Sequence, residues 1–531
     1  MSRVIARRIL FGFLLLVVAG IYFYDLSRQY LSMEEVTDVR EALEVSRSAR
    51  GLGGDFLPLY FADASNEVGH FPMSIYLEAS LLKLAPFSEA LVRTPSVVAG
   101  VIDVVLMFLV ARRVFRRDSL ACVAAGMLAL TPAHFFHSRL ASPQIYLVPF
   151  VLAWLLCLVV FLDTGRSILL FAGGAALGIG MYAYAGAFII VPVYLLTTVV
   201  VAWLRHRGDR RTEGDRHDYA LQKDLVVATL GFGLAMAPFV VWHALHPVRL
   251  RQLAEYYLQH GYNRDLDLTN VQALVVSRLD AWWNGFNPNP VLFFGDASLR
   301  FSTKQIGYFL VPTAAFVAAG LVHQRRLLRS DIAALCSIGL AVGPLPAVAV
   351  HELEIKRCLT MLPFVALIAA CGVAFGLDAR RQSWRLAAVA LMVLGLIQFG
   401  RFLSDYHGDY QGRSSYYFGG NLRGAIREVL ATGRPEDCVF LDARATFGEA
   451  HWALYSRAYR PEMAVPSPEL VDSRETGWLL PARCREAKFI VWEDEENRAL
   501  RETLERQNWK KTAIPEPDGK VFLAVYRRSA G

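Results

Sequence analysis

Long apolar runs alternate with short polar connections from the N-terminus to about residue 403, and then the pattern changes. Eleven runs, near 9–25, 95–111, 119–134, 144–162, 168–184, 187–204, 225–245, 305–323, 332–350, 359–377 and 386–403, read as transmembrane helices. Runs of about 17–22 residues are long enough to cross a ~30 Å hydrocarbon core. Two connections are long, 26–94 and 246–304. The first begins with Val36, Val39, Ala42 and Leu43 at helical spacing, passes a Gly51–Gly54 turn, and reaches a short apolar helix, Phe71–Leu84, starting at Pro72. That helix is too short to span and is expected at the interface. In the second, Glu255–His260 reads as helix and Asn284–Pro290 as turn. From Asp405 onward the chain reads as a small α/β domain. Gly420–Leu430 and Glu495–Gln507 are its helices; CVFLDA, KFIVWE and KVFLAVYRR are its strands. The expected fold is an α-helical integral membrane protein of about eleven spans, residues 1–403, plus an extracytosolic α/β domain, residues 404–531.

Composition supports this: 54% of the 531 residues are hydrophobic and 19% charged. Arg3, Arg7 and Arg8 precede the first run, with no small-x-small cleavage signal before Tyr22-Phe23-Tyr24, so it reads as an uncleaved helix. With the N-terminus cytosolic, the inner connections carry 20 Lys and Arg and the short outer ones 3. That asymmetry puts both long connections and the C-terminal domain outside. It also explains much of the net charge of +7, which in a soluble protein would suggest anionic partners. Seven cysteines show no metal-ligand spacing; Cys438 and Cys484 can pair only if their domain faces an oxidising compartment. There is no GxGxxG, Walker loop or basic-aromatic stripe, so neither a nucleotide nor a nucleic acid is an expected partner.

The three outer basic residues are Arg139, Lys356 and Arg357. They are either interfacial charges snorkelling to headgroups or the cradle of an anionic ligand. Glu34 and Glu35, just beyond the first span, are either the dipole-favoured first turn of a helix capped by Ser32 or catalytic carboxylates. Asp103 lies mid-span, where an acid is a functional candidate or an interhelical hydrogen-bonder. His134 and His137 have no third ligand, so no zinc site is assigned.

Together these residues resemble the GT-C membrane glycosyltransferases, in particular members like family 39, which includes protein O-mannosyltransferases and lipid A aminoarabinose transferases. Glu34-Glu35 resembles the family's first-loop acidic pair, usually Asp-Glu. GGDFLPLYF with HFPMSIYLEA, ALVRTPSVVAG, FHSRLASPQ, GIGMYAYAG, FFGDASLRFSTKQIGYF and KRCLTMLPF follow the family's order over residues 9–403. The resemblance implies a bacterial inner-membrane enzyme that transfers a sugar from a polyprenyl-phosphate donor to an extracytosolic lipid, glycan or protein. Glu34 would be the base, with Glu35 beside it. Arg93, Arg139, Lys356 and Arg357 would bind the donor phosphate, and Asp296, Arg300, Tyr182 and Tyr184 would line the substrate region. Gln144 stands where many members have a metal-binding Asp, which weakens any requirement for Mg or Mn; no other cofactor is implied. The rival readings are a membrane lipid or solute transporter, against which no internal repeat is found, and a non-catalytic GT-C-like binding protein.

Overall fold

The computed structural model describes residues 2–62, 69–209, 214–256, 271–350, 354–434, 437–443, 448–460, 467–472, 484 and 486–529. Helix α1 (Ser2–Phe23) leads into an outer segment with α2 (Met33–Ser48), a two-stranded ribbon of β1 (Phe61–Ala62) and β2 (Gly69–His70), and α3 (Pro72–Leu82). The helical body follows: α4 (Glu89–Phe115), α5 (Asp118–Ala129), α6 (Pro132–His137), α7 (Leu147–Thr164), α8 (Ile168–Gly180), α9 (Ala187–Asp209) and α10 (Gly214–Leu245). The second outer segment carries α11 (Pro247–Tyr256) and α12 (Val271–Asn284). Then come α13 (Val311–Leu327), α14 (Ser330–Val342), α15 (Leu345–Val350), α16 (Leu362–Leu377) and α17 (Gln382–Tyr406).

A helix stands at each of the eleven expected spans. Among the described residues, seven helical stretches are long and apolar enough to cross a membrane: 89–115, 143–164, 187–205, 221–245, 330–350, 359–377 and 382–406. Of the other four, α5, α8 and α13 are shorter, at 12, 13 and 17 residues, while α1 runs for 22. At 1.5 Å per residue, α5 covers only about 18 Å of the ~30 Å core. Thus eleven is a count of helices, and length and composition support seven of them as crossings. Helix α16 is buried almost throughout, whereas α10 and α17 expose apolar faces. Glycines let helices approach closely: a Cβ at Gly320 of α13 would collide with the Ile368 carbonyl of α16.

Past α17 the chain forms α18 (Tyr410–Ser414), α19 (Leu422–Thr432), β3 (Cys438–Asp442), α20 (Gly448–Tyr459), β4 (Glu469–Val471), β5 (Glu486–Trp492), α21 (Arg498–Arg506), β6 (Lys510–Pro515) and β7 (Val521–Ser529). The expected strands and helices of this domain are present; α20, β4 and β6 were not anticipated. The part of the helical expectation at 257–260 lies outside the described residues, and the helix there is Pro247–Tyr256. The sheet order is β4-β3-β5-β7-β6, parallel across β4-β3-β5 and antiparallel beyond. Cys438 and Cys484 are disulfide-bonded, with Cα atoms 5.6 Å apart.

Strand alternation decides what each sheet face meets. Phe440, Phe489, Ala524 and Tyr526 pack with Leu500 and Leu504 of α21. Val439, Leu441, Ile490, Leu523 and Val525 face α19 and α20, and this core continues into Val36, Val39 and Leu43 of α2 and Val92 of α4. Helix α2 is therefore seated in the core of the C-terminal domain. The core of the C-terminal domain thus reaches into the first outer segment and the start of α4. Glu89 reinforces the junction by accepting from Tyr455 (2.6 Å) and Arg423.

Candidate active site

The sequence at 32–35 is a capping box. The Glu35 N–H donates to Ser32 Oγ (3.4 Å) and the Ser32 N–H donates to Glu35 (2.8 Å), which fixes where α2 begins. Glu34 and Glu35 then leave the first turn in different directions and into different environments.

Glu35 is buried and fully committed. Arg93 donates to both its oxygens (2.7 and 2.9 Å), and the Ala141 N–H adds a third bond (2.8 Å). The remaining N–H groups of Arg93 go to the carbonyls of Leu26, Gln29 and Tyr30. All five guanidinium donors are thereby spent. Arg93 is 1% exposed and has nothing left for a phosphate. The pair ties α2, α4 and the connection leaving α1 into one unit. The expected roles of Glu35 in catalysis and Arg93 in phosphate binding are corrected to this structural one.

Arg139 is corrected in the same way. It donates to the carbonyls of Ile21, Tyr22 and Asp25 at the end of α1 and to the Tyr406 hydroxyl, with its guanidinium over the Phe135 and Tyr406 rings. It closes the C-terminal end of α1, where orphan carbonyls need donors.

Glu34, by contrast, is 32% exposed and faces cations. Its carboxylate lies 3.0 Å from Lys356 Nζ and 3.9 Å from Arg300. Lys356 is also 3.0 Å from Glu354, and Arg357 is 3.6 Å from Glu354. Lys356 and Arg300 both lie over the Phe301 ring, and His137 stacks on Phe301. Partial burial works against the charged form of Glu34, but Lys356, then Arg300 and Arg357, outweigh it and hold the carboxyl below its ordinary pKa. Lys356 is shifted the other way. Burial disfavours its charge, and Glu34 and Glu354 more than restore it.

Asp296 and Arg300 do not pair with each other. Asp296 accepts from the N–H groups of Ser298 (2.9 Å) and Ile355 (3.3 Å) and from the Tyr308 hydroxyl (3.4 Å). It pins the loop carrying Arg300 to the turn carrying Lys356. Tyr184 donates to the Arg357 carbonyl (3.4 Å) and supports the same turn. Tyr182 is elsewhere: its hydroxyl bridges the Ala235 carbonyl and the Phe239 N–H beside Pro238 of α10. Both hydroxyls bond backbone, Tyr184 beside the cationic turn and Tyr182 away from it.

Sequence reasoning missed a neighbouring group. Asp38, one turn after Glu34, meets His70 of β2 (2.5 Å) and accepts from Ser74 (2.9 Å). Burial alone would lower the His70 pKa, but Asp38 overcomes it and Glu41 and Glu34 add to the rise. Glu78 of α3 is buried with no hydrogen-bond partner on either oxygen among the described residues, and burial pushes its pKa well up. The legible signal was spacing: Glu34, Asp38 and Glu41 lie at i, i+4 and i+7 on one face of α2.

A raised folded-state His pKa stabilises below the unfolded value near 6.5 and is lost as pH rises through the folded value. His70→Gln should therefore lower the melting temperature most at acidic pH, and the gap to wild type should narrow with increasing pH. Thermal unfolding in detergent across that range checks this.

Among the described residues no three His, Cys, Asp or Glu side chains converge as metal ligands. No step below passes through a divalent ion. His134 bonds Tyr22 (2.8 Å) and Asp103 (3.1 Å), so Asp103 is an interhelical hydrogen-bonder.

This architecture, a helical membrane body with an acid-bearing first outer segment and a sheet domain seated on it, is the GT-C fold. Over nearly the full length of both chains it is similar to ArnT from Cupriavidus metallidurans. The apo structure gives a TM-score of 0.56 at 13% identity, covering 99% of each chain. The structure bound to undecaprenyl phosphate gives 0.53 at 15%, covering 98% of this chain and 97% of that one. Residues 69–210 match the family described as dolichyl-phosphate-mannose-protein mannosyltransferase. Among curated proteins, none matches the sequence.

Proposed function

We propose that this protein is a membrane glycosyltransferase that moves a sugar from a polyprenyl-phosphate carrier to an extracytosolic acceptor. The observation that carries the reading is one partly exposed carboxylate, Glu34, facing Lys356, Arg300 and Arg357. Glu34 takes the proton of the acceptor's O–H or N–H as that atom bonds the sugar's anomeric carbon. The bond from that carbon to the phosphate oxygen breaks, and the cations receive the departing phosphate. With Glu34 as the base and Glu35 spent on Arg93, the reading is a single displacement with inversion. The undecaprenyl phosphate bound by the similar ArnT supports a lipid-phosphate donor.

The loop charges support a cytosolic N-terminus and an extracytosolic C-terminal domain in the bacterial inner membrane, and the disulfide fits an oxidising compartment. In intact cells, a cysteine placed at Gly214 should resist an impermeant thiol reagent; labelling there reverses the topology.

The phosphate cradle is tested by two arginines on opposite faces. Arg329 pairs with Asp163 and Asp331 at the inner end of the bundle. Arg357→Ala should raise the half-saturating donor concentration about tenfold or more, the scale of one charged hydrogen bond. Arg329→Ala should leave it near wild type. Equal effects would reduce Lys356-Arg357 to a headgroup anchor.

A further inference from the structure

Glu34 rests on the cations assigned to the donor's phosphate. Lys356 Nζ is 3.0 Å from the Glu34 carboxylate and 3.0 Å from Glu354, and Arg300 is 3.9 Å from Glu34. A carboxylate held this way is a weak proton acceptor, because each nearby cation favours its charged form. The same ammonium cannot turn fully to a lipid phosphate while it stays on Glu34. Three cations, Lys356, Arg300 and Arg357, stand against two carboxylates, Glu34 and Glu354. The surplus of one positive charge matches one phosphodiester.

We propose that the donor unlocks the base: its phosphate takes Lys356 from Glu34, and only then does Glu34 become able to accept the acceptor's proton. This deepens the glycosyl-transfer reading and rests on it. Donor binding would precede acceptor deprotonation, since the free protein keeps its base in an ion pair. Lys356 is thus a group shared between two anions at successive stages.

The surroundings of Glu34 favour release in that direction. From the 354–358 turn it is faced by Lys356 and Arg357, with Glu354 competing for both; from the neighbouring loop, by Arg300. His70 of β2 and His137 of α6 also feel its charge, and Glu35 and Asp38 lie on its own helix. Of these, Lys356 is the largest influence holding its pKa down. An incoming phosphate both removes that ammonium and adds negative charge nearby. Both changes raise the proton affinity of Glu34.

The test uses the full-length protein in lipid nanodiscs. A water-soluble carbodiimide with an amine nucleophile modifies protonated carboxyls, so the extent of labelling at Glu34 against pH, read by peptide mass spectrometry, gives its midpoint. Undecaprenyl phosphate is the probe, with occupancy followed by native mass spectrometry. Glu495, a surface glutamate of the C-terminal domain, is the reference. With lipid bound, the Glu34 midpoint should rise by roughly one pH unit or more, the scale of losing one close ion partner, while Glu495 stays fixed. Lys356→Met should show the raised midpoint without lipid. Bound lipid with an unchanged or lowered Glu34 midpoint overturns the proposal, as does an unraised midpoint in Lys356→Met. Failure of the lipid to bind overturns it together with the phosphate cradle. If the shift is present while Glu34→Gln retains wild-type turnover, the displacement stands and the assignment of Glu34 as base falls.

Discussion

Arg93→Met should destabilise the folded protein by about 3–5 kcal/mol, the usual cost of removing one partner of a buried ion pair. The reason is what it leaves behind. Glu35 would keep its Ser32 and Ala141 N–H bonds but lose the guanidinium that neutralises it. The carbonyls of Leu26, Gln29 and Tyr30 would lose buried donors as well. Lysine should rescue little, since one ammonium cannot reproduce five donors in a planar fork. Glu35→Gln with Arg93 intact should cost less than Arg93→Met, because Arg93 would keep its three carbonyl acceptors. Chemical or thermal unfolding in detergent measures all three variants. A phosphate-binding Arg93 would behave oppositely, with stability kept and donor affinity lost.

Glu34→Gln should lower turnover by roughly 10²–10⁴-fold, the contribution of a positioned general base. Glutamine keeps the size of the side chain but cannot take the acceptor's proton. Because Glu34 is partly exposed and outside the α2 capping box, the variant should fold and insert normally. Glu34→Asp should retain partial activity, its carboxylate one methylene further from the cations. Unchanged turnover in Glu34→Gln, with correct folding, removes Glu34 as the base.

The pattern of apolar runs located a helix at each expected span, because burial in lipid imposes long apolar stretches regardless of packing, but not the short α6. It did not fix how many cross, since α5 and α8 are short helices within longer apolar runs. Ser32, Glu34 and Glu35 were legible as a capped helix start and as an acidic pair. Which glutamate was committed was not legible, because that depends on Arg93, 58 residues away in sequence. Arg93 and Arg139 read as anion sites for the same reason: backbone carbonyls, their actual partners, carry no mark in a sequence. Asp38 and His70 were missed because their pairing joins a helix to a distant two-residue strand. The seating of α2 in the C-terminal core was equally hidden. Val36, Val39 and Leu43 announced an apolar face but not α20, the helix of the C-terminal domain that packs against α2.

The central claim is that Glu34 and the cations opposite it transfer a sugar from a polyprenyl phosphate. It is tested most directly by reconstituting purified protein in bilayers with polyprenyl-phosphate sugars and envelope extracts, and following both lipid and acceptor by mass spectrometry. The account predicts sugar-bearing acceptor and free polyprenyl phosphate in equal amounts with wild type, and roughly 10²–10⁴-fold slower formation with Glu34→Gln. Lipid-linked sugar that crosses the bilayer or stays bound with its sugar–phosphate bond intact, at the same rate in both proteins, would contradict it.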